Sequence, residues 1–157
     1  MTLRFRLTTL DQPVAKHLID ALNAELNEQY PEEGANHFRL DEDEVSGDRG
    51  VFLVGYIGDE PVACGAIRRL SDDEAEIKRM YVDRAARGSG LGRRTLEELE
   101  AHGRSLGVKR IVLETGERQV EAIALYERAG FVRIPCFGEY ADSPLSVCLA
   151  KDLSREP

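Results

Sequence analysis

The sequence predicts a mixed α/β (α+β) domain, and three observations carry that reading. Short runs of β-branched and alternating apolar residues recur, from "LRFRLTT" near the start to "LSVCLAK" near the end. Three longer segments instead place apolar residues at helical spacing. The glycine-rich stretch "RGSGLGR", residues 87–93, stands between a strand pattern and a helix pattern, which makes one clear βαβ unit.

Each element has its own signal. "LRFRLTT" alternates apolar and polar residues as an opening strand does. Asp11 offers a helix N-cap and Pro13 fits a first turn. Val14, Leu18, Leu22 and Leu26 then follow at steps of four, and the helix must end before Pro31. The segment 28–48 is acidic and poor in apolar residues, which suits a solvated loop with a short helix, or an acidic rim that attracts a cation. "VFLVGYI" and "VACGAIR", joined by "GDEP", read as a hairpin, and "EAEIKRMYV" continues the meander after "SDD". After the glycines, Leu91, Leu96, Leu99 and Leu106 mark the inner face of a helix. "RIVLET" is a strand, and "QVEAIALYERAG" is a helix with Ala122, Leu125, Tyr126 and Ala129 on one face and Gly130 at its end. "FVRI" and "LSVCLAK" close the chain as two strands joined through "PCFGEYADSP".

Length and composition bound the function. The 157 residues suit a single domain over 1–153 with a fraying tail at 154–157. The opening "MTLRFRLTTL" lacks the apolar core of a secretory signal, and no apolar run approaches a membrane span, so a cytoplasmic protein is expected. A formal net charge of -8 and a pI near 5.0 argue against non-specific nucleic-acid binding. Of the three cysteines, Cys64, Cys136 and Cys148, one stays unpaired in any disulfide scheme, and none forms a CxxC pair that would hold zinc or run thiol exchange. Cys64 and Cys148 read as small buried hydrophobes. No metal site is expected, and His17, His37 and His102 read as peripheral.

The glycine stretch asks for an anion. A loop feeding a helix presents unpaired N–H groups and the positive end of the helix dipole. Glycines let a ligand approach bare backbone, and Arg87, Arg93 and Arg94 add full charges. A nucleotide-binding P-loop needs GxxxxGK[ST], and no Lys-Ser or Lys-Thr follows here. A dinucleotide loop needs GxGxxG; Gly88 and Gly90 fill two places, but Arg93 occupies the third, although Glu114 could mimic the ribose-binding acid about twenty residues on.

Arg87-Gly88-Ser89-Gly90-Leu91-Gly92 matches the R/Q-x-x-G-x-G/A signature, and "LYERAGF", Leu125 to Phe131, looks like the second signature, of the GNAT superfamily of N-acetyltransferases. The chain resembles that family over nearly its whole length. The resemblance implies a central, mostly antiparallel sheet of about seven strands, with one parallel splayed pair and about four flanking helices. It implies acetyl-CoA as co-substrate. The pantetheine arm would pair with backbone at Met80, Tyr81 and Val82 like an added strand, and the pyrophosphate would lie on the loop from Arg87 to Arg93. Gln119 stands where many relatives carry an asparagine that contacts the arm, and Arg128 where a basic residue can meet a CoA phosphate.

Acetyl transfer to an amine needs a proton acceptor, an oxyanion donor and a stabilised leaving thiolate. Tyr126 matches the family tyrosine that often faces the CoA sulfur; the alternative is a packing role. Glu76, on the strand that bulges, matches a family glutamate that takes the amine proton; the alternative is an ion pair with Lys78 or Arg79. Tyr30, Tyr81 and Tyr140 are weaker candidates, Tyr30 and Tyr140 in the segments that usually form the acceptor pocket. Those segments are acidic and aromatic here, so a cationic small-molecule or peptide amine is the expected acceptor. A homodimer follows by analogy with the family alone. A module that binds CoA without chemistry is the rival reading.

Overall fold

The structure is a computed structural model, which describes residues 2–32 and 40–153. Glu33 and His37 and the tail 154–157 lie outside the described residues. In chain order the elements are β1 (Leu3–Thr8), α1 (Pro13–Gln29), β2 (Gly50–Ile57), β3 (Glu60–Arg69), β4 (Glu74–Val82), α2 (Leu91–Leu106), β5 (Arg110–Gly116), α3 (Val120–Arg128), β6 (Val132–Ile134) and β7 (Ser146–Asp152). Short 3₁₀ turns span Glu42–Val45, Arg84–Ala86 and Gly138–Tyr140. Among the described residues one seven-stranded sheet runs β1-β2-β3-β4-β5-β7-β6, and only β4 and β5 pair in parallel. Among the described residues three α-helices flank it, where four were expected.

The helices divide between the two faces. The α1 stripe Ala15, Leu18 and Leu22 packs on Phe52, Val54, Cys64, Ala66 and Tyr81. Leu96 and Leu99 of α2 and Tyr126 of α3 cover the other face, against Ile67, Ile77, Ile111, Leu113 and Leu149. Pro13 does open α1, but the N-cap is Gln12, with extended backbone and no capping side chain. Asp11 accepts the Thr9 hydroxyl instead, which takes its carboxylate away from the helix. No helix of the described residues is long and apolar enough to cross a membrane.

Cys148 is buried as expected, but it is paired in a disulfide with Cys136. The β6–β7 register sets Ile134 opposite Cys148, which brings Cys136 diagonally across with a Cα–Cα separation of 5.1 Å. Cys64 is the free cysteine; burial pushes its thiol up to about 12, and it donates to the Arg79 carbonyl at 3.3 Å.

The feature that makes the site is a bulge followed by a split. Tyr81 faces Cys64 and Lys78 faces Ala66, so Arg79 and Met80 oppose the single residue Gly65. Arg79 takes φ 57, the left-handed region that costs a side-chain-bearing residue strain. Gly65 makes a close approach: a Cβ there would stand 2.7 Å from Leu99 Cδ1, so the buried Leu99 side chain would have to shift. Pairing of β4 with β5 runs from Glu74↔Arg110 to Ile77↔Leu113 and then stops, although both strands continue. The parallel pair therefore splays beyond Ile77, as the family resemblance implied.

Candidate active site

Two cavities meet where β4 and β5 part. A cleft of about 740 Å³ lies between β4, the glycine loop and α3. A smaller cavity of about 100 Å³ lies on the α1 side of the sheet. Leu22, Met80, Gln119 and Tyr126 border both.

The cleft collects nearly all the residues that the sequence assigned to the co-substrate. Met80, Tyr81 and Val82 border it along the β4 edge that β5 leaves unpaired. Gly88, Gly90, Leu91 and Gly92 border it at the head of α2, where the first turn has N–H groups without intrahelical partners. Gly90 is the N-cap at φ 82, a conformation that favours glycine. Arg93, Gln119 and Arg128 complete the wall. The donor set suits a diphosphate and the unpaired strand edge suits an amide-bearing arm, so coenzyme A fits this cleft.

Two residues of the loop behave differently. Ser89 does not border the cleft; its Oγ donates to the Ala86 carbonyl at 3.2 Å. Arg87 borders the cleft, but its guanidinium is turned onto α1. It donates to both Glu25 carboxylate oxygens, at 2.8 and 2.6 Å, and to the Val82 carbonyl at 2.9 Å, with its Cζ 5.5 Å from the centre of the Tyr81 ring. The Arg87 hydrogen bond holds the Glu25 carboxyl below its ordinary value. Arg87 thus ties the loop to α1 and shapes the cleft more than it offers a free charge.

Tyr126 stands at the junction. Its side chain packs on Phe131, with ring centroids 5.9 Å apart, and among the described residues no hydrogen bond occupies its hydroxyl. Burial first, and the charge of Glu114 second, push its phenol up to about 12.

The smaller cavity is bordered by the β4 bulge on one side and by Glu114 and Thr115 of β5 on the other. Glu114 follows the last β4–β5 pair, so its carboxyl lies in the opening. It accepts the Ser146 hydroxyl at 2.5 Å, and burial pushes it above the ordinary carboxylate value. The sequence reading assigned Glu114 only to a dinucleotide ribose. The available signal was a lone carboxylate at the C-terminal end of an apolar parallel strand.

Glu76 has another place. It is fully buried, does not border either cavity, and sits opposite Arg68 in the β3–β4 register. Arg68 donates to Glu76 Oε1 from Nε at 3.0 Å and from the terminal nitrogen at 2.8 Å, and also holds Glu44. Tyr140 donates its hydroxyl to Glu76 Oε2 at 2.6 Å. The expected ion pair exists across the strands, with Arg68 in place of Lys78 or Arg79, because side chains directly opposite are the ones that meet. Burial and the Glu76 charge push the Tyr140 phenol up, so it stays a donor. Arg68→Met would leave a buried carboxylate without its cation, and about 3 kcal/mol of stability should be lost in chemical denaturation.

Tyr140 borders the smaller cavity. Tyr30 borders it too, but its hydroxyl accepts the Arg118 backbone N–H at 2.6 Å and its ring lies 4.9 Å below the Arg118 guanidinium. It pins the end of α1 to the β5–α3 loop. Tyr81 borders the cleft and not the cavity; His17 and His102 border neither.

A glycine loop at a helix head, an unpaired strand edge and a phenol at the strand split together suit a CoA-dependent acyltransferase. Residues 16–131 match the model of the acetyltransferase (GNAT) family. An IAA acetyltransferase of Azospirillum brasilense is 39% identical over 145 residues, covering 90% of this chain and 92% of that one. A crystal structure from Klebsiella pneumoniae subsp. pneumoniae, assigned to the acyl-CoA N-acyltransferases, superposes with a TM-score of 0.84 at 31% identity, covering 97% of this chain and 98% of that one. A GNAT family acetyltransferase of Elizabethkingia anophelis, solved with acetyl-CoA bound, shares the fold with a TM-score of 0.69 at 17% identity over 96% of this chain and 98% of that one. The chain belongs to the GNAT family and is an acetyl-CoA-dependent N-acetyltransferase.

Proposed function

We propose that the acceptor is the primary amine of a small molecule, attacked directly in a ternary complex, with Glu114 as proton acceptor and Tyr126 as donor to the leaving sulfur. The observation that carries this is the opening between β4 and β5, where the two cavities share Tyr126 and where Glu114 borders the smaller one. When bound in the cleft, acetyl-CoA supplies the acetyl thioester.

The chain's own residues supply the rest. Glu114 takes the proton of the acceptor ammonium, which otherwise has no lone pair at neutral pH. The amine nitrogen then bonds to the acetyl carbon. Strand amides in Met80–Val82, on the edge that β5 leaves unpaired, suit the developing oxyanion. As the C–S bond breaks, Tyr126 donates a hydrogen bond to the leaving thiolate; the acylated nitrogen, which still carries one proton too many for an amide, gives that proton to the thiolate, and Glu114 releases the first proton to solvent. A Cys–His or Ser–His pair is not needed for direct attack. The name of the Azospirillum relative supports a small acceptor.

Thiol release from acetyl-CoA across a panel of primary amines tests the proposal. Turnover on small amines is expected, with initial rates in both substrates that fit a ternary complex and not a ping-pong scheme. Calorimetric binding of acetyl-CoA with no turnover on any amine would overturn it.

A further inference from the structure

The smaller cavity carries charge of both signs on opposite walls, and the bulge in β4 arranges it. In a regular strand, neighbouring side chains point to opposite faces. Ile77 belongs to the α2 and α3 core, and Glu76 and Lys78 project to the α1 side. The extra residue at the bulge breaks that alternation, so Arg79 also turns to α1 and donates to Asn23 Oδ1 at 3.1 Å. Two consecutive cations therefore border one cavity. Lys78 is 5% exposed, with its ammonium 3.7 Å from Glu139 Oε1 and 5.9 Å from the centre of the Tyr140 ring. Glu114 stands across the gap on β5.

Resting on the transferase reading above, we infer that the acceptor carries a carboxylate beside its amine. Lys78 and Arg79 hold the carboxylate, and Glu114 receives the amine. The acceptor class is the amino acids and related amino carboxylates, not the simple cationic amines that the acidic loops suggested.

Three arguments support the assignment. First, a plain ammonium entering this cavity meets two like charges on the β4 wall, which opposes it, whereas a zwitterion matches both walls. Second, the two cations follow one another on β4 and Glu114 lies on β5, so the cavity sets its opposite charges on separate strands. Third, a cavity of about 100 Å³ is room for a head group of a few heavy atoms. An amino carboxylate head fits, and the side chain would point to the opening. Burial lowers both cations from their ordinary values, which agrees with a wall that gains from an incoming anion.

Matched triplets test the inference: L-methionine and L-phenylalanine, each against its primary amide and its decarboxylated amine, by thiol release from acetyl-CoA. The free acids should exceed both partners in kcat/KM by about tenfold or more. The amide is the stringent comparison, because its amine is less basic and more often deprotonated. Lys78→Met and Arg79→Met should raise KM for the acid by about tenfold and move the amide by less than about twofold. Those variants can fail to fold, but the wild-type triplets stand without them. Amides or plain amines used as well as the acids would overturn the inference and leave the transferase intact. So would equal losses on acid and amide in the variants. Acetyl-CoA binding with no turnover on any amine would instead overturn the transferase reading itself.

Discussion

Tyr126→Phe should lower kcat by about 100-fold or more and leave acetyl-CoA affinity within about threefold. The substitution removes one oxygen and keeps the ring, so packing on Phe131 survives. The magnitude follows from what the hydroxyl can do. With its phenol pushed up to about 12, Tyr126 is protonated at every working pH and donates throughout. A thiol loses its proton near pH 8.5, so full transfer from Tyr126 to a thiolate is uphill by several units, each about 1.4 kcal/mol. In the proposed mechanism Tyr126 therefore acts by hydrogen-bonding charge as it develops on sulfur. Glu114 sharpens this: its charge is the second cause of the raised phenol, and that cause disappears once Glu114 has taken the amine proton. Steady-state thiol release, calorimetry with acetyl-CoA and thermal unfolding together check the prediction. A kcat within about threefold of wild type would reduce Tyr126 to a packing residue.

What the sequence disclosed follows the range of the interactions involved. The strands and helices were readable because period and punctuation are local: "RIVLET" and the leucines of α2 need no partner to be recognised. The glycine loop was readable for the same reason, and the resemblance carried Tyr126 with it. Long-range choices were not readable. The cation beside Glu76 is Arg68, because the β3–β4 register sets those two opposite each other. Arg87 faces the loop's ligand in the sequence, yet Glu25 on α1 captures it in the fold. Arg79 changes sides because of a bulge whose only local trace is Gly65, and that glycine is explained by Leu99 on another element. Glu114 reads in the sequence only as a possible ribose-binding acid, because the split of β4 from β5 that opens beside it is a long-range feature. The acidic loops suggested a cationic acceptor from composition alone, whereas the placing of Lys78 and Arg79 on one cavity wall depends on the β3–β4 bulge.

Glu114→Gln is expected to separate activity from stability. At neutral pH, kcat/KM should fall by about 10²–10⁴, because the amide keeps the shape and the Ser146 contact but cannot accept the amine proton. The pH profile gives the sign. A base works when deprotonated, so wild-type kcat/KM should rise with pH through a value above the ordinary 4.5 of a glutamate. That acidic limb should vanish in the variant, leaving only the acceptor's own deprotonation. Stability moves the other way. Burial raises the native value above that of the unfolded chain, so across the window between them the native state holds more protons than the unfolded state. Wild-type stability from this group is therefore full below the unfolded value and lost as pH rises through the native one. Glutamine never ionises and escapes that loss. The variant's Tm should match wild type near about pH 4 and exceed it near about pH 8. Glu76→Gln supplies the contrast: with Arg68 and Tyr140 both holding Glu76, it should lower Tm at neutral pH and leave the acidic limb in place. If the limb follows Glu76, or if Glu114→Gln lowers Tm at both pH values, Glu114 is a structural carboxylate and the proton leaves by another route.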